Sequence, residues 1–299
     1  MENKVFYFLC LLILGFAEAR SNTKSLASRF NYVSDFEQKT IENFIKAKNP
    51  SHLALLMAFD STMNLRKLKL NEKYLNSICN KLVKSEIKFS RKQDYLEYMF
   101  TYVQEFYLRS YIPDVTFENL IYKRKYNCVS ACAFYALIFE NLGFQYKIFE
   151  TPNHVYLKVF VENKEYLFET TDKNGFISNP SEIAKREKQY AEELTDEYAR
   201  LIARDYLVFE NTLKKEITLT QLSGIQYFNI SASCVEKNDF VKSFDFAEKA
   251  YMLYPSPRTR NAMMMVLSKL IESESISYNQ KLVYYKKHKN LLSVISAKS

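Results

Sequence analysis

Tryptophan is absent from this 299-residue chain, and glycine occurs only four times, proline six and histidine three. So few glycines leave little material for left-handed turns, which points to helices as the main element. The histidines, His52, His154 and His288, lie far apart and match no metal-ligand spacing, so neither a metal nor an organic cofactor is expected. Beyond Phe16 no apolar run is long enough to cross a bilayer. A polybasic cluster is also missing. The net charge is +8, from 42 Lys and Arg against 34 Asp and Glu, but the lysines are spread along the chain and no nucleic-acid module is visible, so nucleic acid is not an expected partner.

What is present is enough apolar material for a sizeable core: 47% of residues are hydrophobic and 25% charged. The length fits one large domain or two modest ones. Residues 1–19 read as an export signal. Lys4 gives the positive start, Val5 to Phe16 the short apolar stretch, and Ala17-Glu18-Ala19 the small-x-small cleavage pattern. The expected location is therefore periplasmic or secreted, with an uncleaved N-terminal anchor as the alternative. After the signal, four cysteines remain: Cys79, Cys128, Cys132 and Cys234. Cys128 and Cys132 fall one helical turn apart, where Cβ atoms about 6 Å from each other do not bridge without distortion. A link between Cys79 and Cys234 stays open.

From Asn31 to about Tyr111 the apolar spacing is helical, as in Phe36, Ile41, Phe44 and Ile45, in Leu75, Ile78, Cys79 and Leu82, and in Tyr95, Met99 and Val103. A short helix is expected over Phe117 to Lys123. Val129 to Leu142 reads as an apolar helix that stops at Gly143. Strands follow at Phe144 to Glu150, Val155 to Val161 and Tyr166 to Thr170, with a turn at Asn163-Lys164. After Ser181 the chain reads as helical to its end. Glu182 to Arg204 is long and charged, with apolar residues on one side. Leu222 to Lys237 and Phe240 to Tyr254 form a helix pair joined at Asn238-Asp239, either an ordinary hairpin or one tetratricopeptide-like repeat. His52 and His288 are expected to be exposed or capping, and Cys132 to sit in the core. The expected divisions are 20–180, with a core at 117–178, and 181–299, with the repeat at 222–256.

Chemistry converges on the stretch from Tyr126 to Gly175. Cys128 opens a helix, where partial positive charge and free amides favour a thiolate, the reactive form of cysteine. His154 stands at the mouth of the next strand but one, placed to take the thiol proton. Glu169 ends the following strand, and a carboxylate there would orient the imidazole and stabilise its cation. Asp172 is the alternative acid. Tyr126, Asn127 and Tyr156 flank the nucleophile and base and are candidate oxyanion or substrate contacts. The Cys128 amide is the first candidate for an oxyanion donor.

Tyr126-Asn127-Cys128-Val129-Ser130 with Asn141-Leu142-Gly143-Phe144, then Thr151-Pro152-Asn153-His154-Val155-Tyr156-Leu157, then Phe168-Glu169-Thr170-Thr171-Asp172, resembles the cysteine, histidine and acid segments of the transglutaminase-like (papain-like) superfamily. The helix pair after Leu222 is similar to that of the bacterial branch carrying tetratricopeptide repeats. The sequence departs from the family in having Glu169 where Asp is usual, Tyr156 where Trp is common, and Asn127 where Gly often stands. The resemblance implies an α+β, mostly helical fold in which a cysteine-bearing helix packs on a small antiparallel sheet, flanked by N-terminal helices and a C-terminal helical region. It implies cysteine-dependent hydrolysis or acyl transfer on a peptide-like substrate. The alternative is an inactive scaffold that binds a protein partner through its C-terminal helices.

Overall fold

The computed structural model describes residues 30–151, 153–192 and 214–296. The expected signal segment at 1–19, and the expected helix beyond Glu192, lie outside the described residues. The fold is mixed α+β and mostly helical. In chain order the elements are α1 (Asp35–Ile45), α2 (His52–Met57), α3 (Leu65–Glu86), α4 (Lys92–Tyr107), β1 (Ser110–Tyr111), α5 (Phe117–Lys123), β2 (Lys125–Tyr126), α6 (Cys128–Leu142), β3 (Gln145–Glu150), β4 (Val155–Val161), β5 (Lys164–Phe168), β6 (Phe176–Ile177), α7 (Pro180–Glu192), β7 (Lys215–Ile217), α8 (Leu219–Glu236), α9 (Phe240–Leu253), α10 (Pro257–Glu272) and α11 (Tyr278–Ser296).

α6 is the axis of the molecule. Every residue from Val129 to Phe139 is buried, so these three turns have no solvent face, as expected for a helix enclosed by other elements. Its ends are fixed by sequence. Asn127 caps the start in a reciprocal box with Ser130, and Gly143 closes the end at φ 74°, a left-handed position that suits a residue without Cβ. One face of the sheet (Val155, Leu157, Val159, Phe168) shares the main core with α6, where Phe139 and Phe168 meet edge to face at 5.2 Å. The opposite face (Tyr156, Leu167) packs on Ile183 and Tyr190 of α7. Alternation along β4 therefore serves two buried faces.

The sheet is antiparallel in the order β6-β5-β4-β3-β7. Three expectations change here. The third strand runs Lys164–Phe168, two residues earlier at each end than the sequence suggests, so Glu169 falls just past it. The β4–β5 turn is Glu162-Asn163, one residue earlier than the sequence suggests, because Val161 pairs with Lys164 and both turn residues take positive φ, 51° and 60°. The region after Ser181 is not wholly helical: β7 pairs with β3 through Ile148–Ile217, Phe149–Glu216 and Glu150–Lys215. At three residues it is too short to show an alternation, and pairing with β3 rather than local propensity makes it a strand.

The C-terminal helices are fastened to the rest of the chain. Gln226 of α8 accepts from the Phe117 amide at 2.8 Å and donates to the Leu56 carbonyl at 2.9 Å. Within the α8–α9 pair, Ser231 and Ser243 hydroxyls each donate to the other's carbonyl, at 2.9 and 2.8 Å. The four cysteines of the described residues are free, so Cys79 and Cys234 are not linked. His288 is buried rather than exposed, its ring enclosed by helix packing. His52 pairs with Glu140 at 2.8 Å. Among the described residues, no helix is long and apolar enough to cross a membrane.

Candidate active site

Cys128 is the first residue of α6, half-buried, at the positive end of a 15-residue helix. The capping box uses the amides of Asn127 and Ser130, and the helical ladder begins with Ala131 donating to the Asn127 carbonyl. The Cys128 amide therefore stays at the head of the helix, available to a developing oxyanion.

His154 is presented by the link between β3 and β4. Its carbonyl accepts from the Thr151 amide at 2.8 Å and the Thr151 hydroxyl at 3.1 Å. The base of this link is braced from the C-terminal helices: Arg258 of α10 pairs with Glu150 at 2.5 Å, and the Tyr254 hydroxyl donates to the same carboxylate. The register that sets Leu157 opposite Phe168 brings the residue after Phe168 to the His154 side of the sheet. There His154 Nε2 bonds Glu169 Oε2 at 2.7 Å. With Nε2 committed, Nδ1 is the nitrogen left to face the thiol, and Cys128 lies near enough to the imidazole to raise its pKa.

Glu169 lies just past β5 and is 3% exposed. Its Oε1 accepts from the Thr171 amide at 3.0 Å and the Thr171 hydroxyl at 2.6 Å, while Oε2 also accepts from the Tyr190 hydroxyl. Burial by itself would raise this carboxyl's pKa, but the bonds from His154, Thr171 and Tyr190 outweigh it and hold the value well below the ordinary range. For His154, burial would lower the value, but the contacts with Cys128 and Glu169 raise it well above that of a free imidazole. The arrangement favours an imidazolium beside a buried carboxylate.

Cys128, His154 and Glu169 thus come together. Asp172 stands apart and pairs with Arg186 at 3.0 Å. Asn127 is turned inward: its Oδ1 caps the Ser130 amide at 2.9 Å, and its Nδ2 donates to the Pro113 and Val115 carbonyls at 2.8 and 2.9 Å. No donor remains for a substrate, so its role here is to hold the loop against the helix. Tyr126 is buried under the exposed ring of Tyr111, 5.7 Å away, in the parallel β1–β2 pair. Tyr156 is fully buried on the α7 face, with its hydroxyl on Glu187 at 2.9 Å. Cys132, one turn into α6, is enclosed, and burial raises its thiol pKa well above the ordinary value.

Sequence reasoning passed over Tyr190, Thr171, Gln104 and the Tyr111 rim. Gln104 of α4 donates to the Thr170 carbonyl at 2.9 Å and fixes the segment that carries the acid. Tyr190 had a faint signal, since it shares a helical face with Ile183 and Glu187 at spacings of four and three. Among the described residues no group of three or more His, Cys, Asp and Glu side chains could hold a metal ion. No protein-family model matches the chain, and no curated protein or solved structure shows significant similarity to it.

Proposed function

We propose that the chain is a transglutaminase-like enzyme that transfers or hydrolyses acyl groups through Cys128. One observation carries this reading: a single imidazole, His154, near a thiol at a helix head, is bonded to a buried carboxylate held by four hydrogen bonds. An incidental cysteine and histidine would not need an acid whose every lone pair is organised. In the reaction, His154 takes the thiol proton, and the Cys128 sulfur attacks a peptide-like amide or ester carbonyl. The carbonyl oxygen becomes an anion near the Cys128 amide. Collapse of this intermediate breaks the bond to the leaving amine or alcohol, which receives its proton from His154, and leaves an acyl-thioester. Water or an acceptor amine, activated by the same imidazole, then releases the acyl group.

An inactive scaffold would need its C-terminal helix pair free for a partner. Instead α8 buries Leu219, Leu222 and Ile225 in the core shared with α6, so much of that surface is already used. An exported chain acting on a peptide or protein substrate remains the reading we favour.

The test is acylation. The full chain is incubated with p-nitrophenyl acetate and mapped by peptide mass spectrometry. A transient acetyl group on Cys128 alone is expected, absent in Cys128→Ala and formed about 10²–10⁴-fold more slowly in His154→Ala. Equal, slow labelling of all the cysteines would overturn the proposal.

A further inference from the structure

We infer that Tyr190 of α7 is a positioning residue: its hydroxyl, sharing Glu169 Oε2 with His154, holds the carboxylate charged and aimed at the imidazole. The inference rests on the reading of Cys128 and His154 as nucleophile and base, and it assigns part of the site to the helix beyond the expected core.

Glutamate has one more rotatable bond than the aspartate this site would otherwise use, so its carboxylate needs more fixing. The fixing comes from both sides. Thr171 holds Oε1 through its amide and hydroxyl, at 3.0 and 2.6 Å, and Tyr190 holds Oε2 beside the imidazole. The Tyr190 ring also lies 5.2 Å from the His154 ring and 5.0 Å from that of Tyr156, covering the imidazole on its α7 side. α7 is itself pinned to the sheet: Glu187 accepts from Tyr156 at 2.9 Å and pairs with Lys158 at 2.9 Å, and Arg186 pairs with Asp172 at 3.0 Å.

The titratable groups around Glu169 are Cys132 from α6, Tyr111 from β1, His154 and Tyr156 from the β4 side, and Tyr190 from α7, with Cys128 beside His154 and Arg186 beside Tyr190. Among the described residues, only His154, Thr171 and Tyr190 donate to the carboxylate. Each neutral donor lost makes the buried charge harder to keep. Removing the Tyr190 hydroxyl should therefore let Glu169 take up a proton at a higher pH. Once neutral, it no longer supports the imidazolium that would hold the thiol's proton.

The test is the pH dependence of Cys128 alkylation by iodoacetamide, followed by peptide mapping in the full chain. This needs no substrate. In the wild type, Cys128 should react faster than the buried cysteines down to mildly acidic pH. Tyr190→Phe keeps the ring, and should move the acid limb up by about one to two pH units with the plateau little changed. In a Glu169→Gln background the same substitution should move nothing. A merely structural role for Tyr190 would lower stability without shifting the limb. A folded Tyr190→Phe protein with an unmoved limb overturns the inference while leaving acyl transfer intact. If wild-type Cys128 reacts no faster than the other cysteines, the acyl-transfer reading falls first and takes this one with it. Should Tyr190→Phe fail to fold, 3-fluorotyrosine incorporated into the wild type strengthens the donor and should move the limb down; no movement there also overturns the inference.

Discussion

Glu37 of α1 and Lys249 of α9, 212 residues apart, form a 2.8 Å ion pair in which the two side chains are 0% and 1% exposed. Both charges have further partners. Lys249 also donates to the Asn31 carbonyl at 2.9 Å, and Glu37 accepts from Tyr227 at 3.0 Å and from the Val33 amide at 2.7 Å. A buried charge that loses its partner costs far more than an intact pair contributes. Lys249→Met should destabilise the fold by about 3–5 kcal/mol, with Glu37→Gln in the same background recovering part of the loss. Urea denaturation of the two variants checks this. Equal stability of Lys249→Met and wild type would mean that α1 and α9 are not joined as described.

Asn127 offers a sharper test, because two roles can be separated at one position. Asp is as good a helix cap as Asn, so a pure capping role predicts no loss for Asn127→Asp. The structure adds two donated bonds, to Pro113 and Val115 carbonyls, that Asp cannot make. A carboxylate facing those oxygens should cost roughly 1–3 kcal/mol despite the better charge at the helix head. Thermal unfolding of Asn127→Asp is the measurement, and a neutral result would release the loop from the helix.

Gly175 closes the turn after the acid. A Cβ there would lie 2.0 Å from the Glu169 carbonyl oxygen and 2.8 Å from that of Asp172, so Gly175→Ala must push the backbone that carries Glu169. Overpacking of this kind costs about 1–3 kcal/mol, and here it should also slow alkylation of Cys128. Gly143→Ala is the control. Its φ of 74° makes alanine cost about 1–2 kcal/mol, but nothing crowds it and it lies at the far end of α6. Similar stability losses with reactivity lowered only in Gly175→Ala are expected; unchanged reactivity in both would show that the acid tolerates displacement.

What the sequence made legible follows from how local each signal is. α6 could be read because an unbroken apolar run ends in a glycine, and β4 because its bounds are set by its own residues and neighbouring turns. Cys128, His154 and Glu169 could be placed together because one helix and one hairpin carry all three. Glu162-Asn163 hid its start, since glutamate seldom takes positive φ and no glycine marks the turn. β7 hid because a three-residue strand exists only through its partner. For Asn127 and Tyr156 the sequence suggests substrate contacts, but what surrounds them comes from the loop at Pro113 and from α7, and neither is near in sequence. Tyr190, twenty-one residues beyond the acid it touches, was hidden for the same reason.

Glu248 of α9 carries the strongest pH prediction for the C-terminal helices. Its side chain is 2% exposed, and Oε1 has no hydrogen-bond partner among the described residues, with Lys287 Nζ 3.7 Å away. Burial raises its pKa from an ordinary 4.5 to about 8; Lys287 and Lys249 oppose the shift, and Asp245 adds to it. The sign follows from proton counting. Between those two values the folded chain holds a proton that the unfolded chain has released, so this group's contribution to stability falls as pH rises from 4.5 to 8. Glu248→Gln removes the titration while keeping the shape. It should leave stability nearly unchanged below the lower value and raise it above the upper one, by on the order of 1–3 kcal/mol. Urea midpoints at acidic and alkaline pH give the comparison. A gain of the same size at both would trace the effect to packing, and a loss at alkaline pH would mean that the Lys287 contact outweighs the cost of burying the charge.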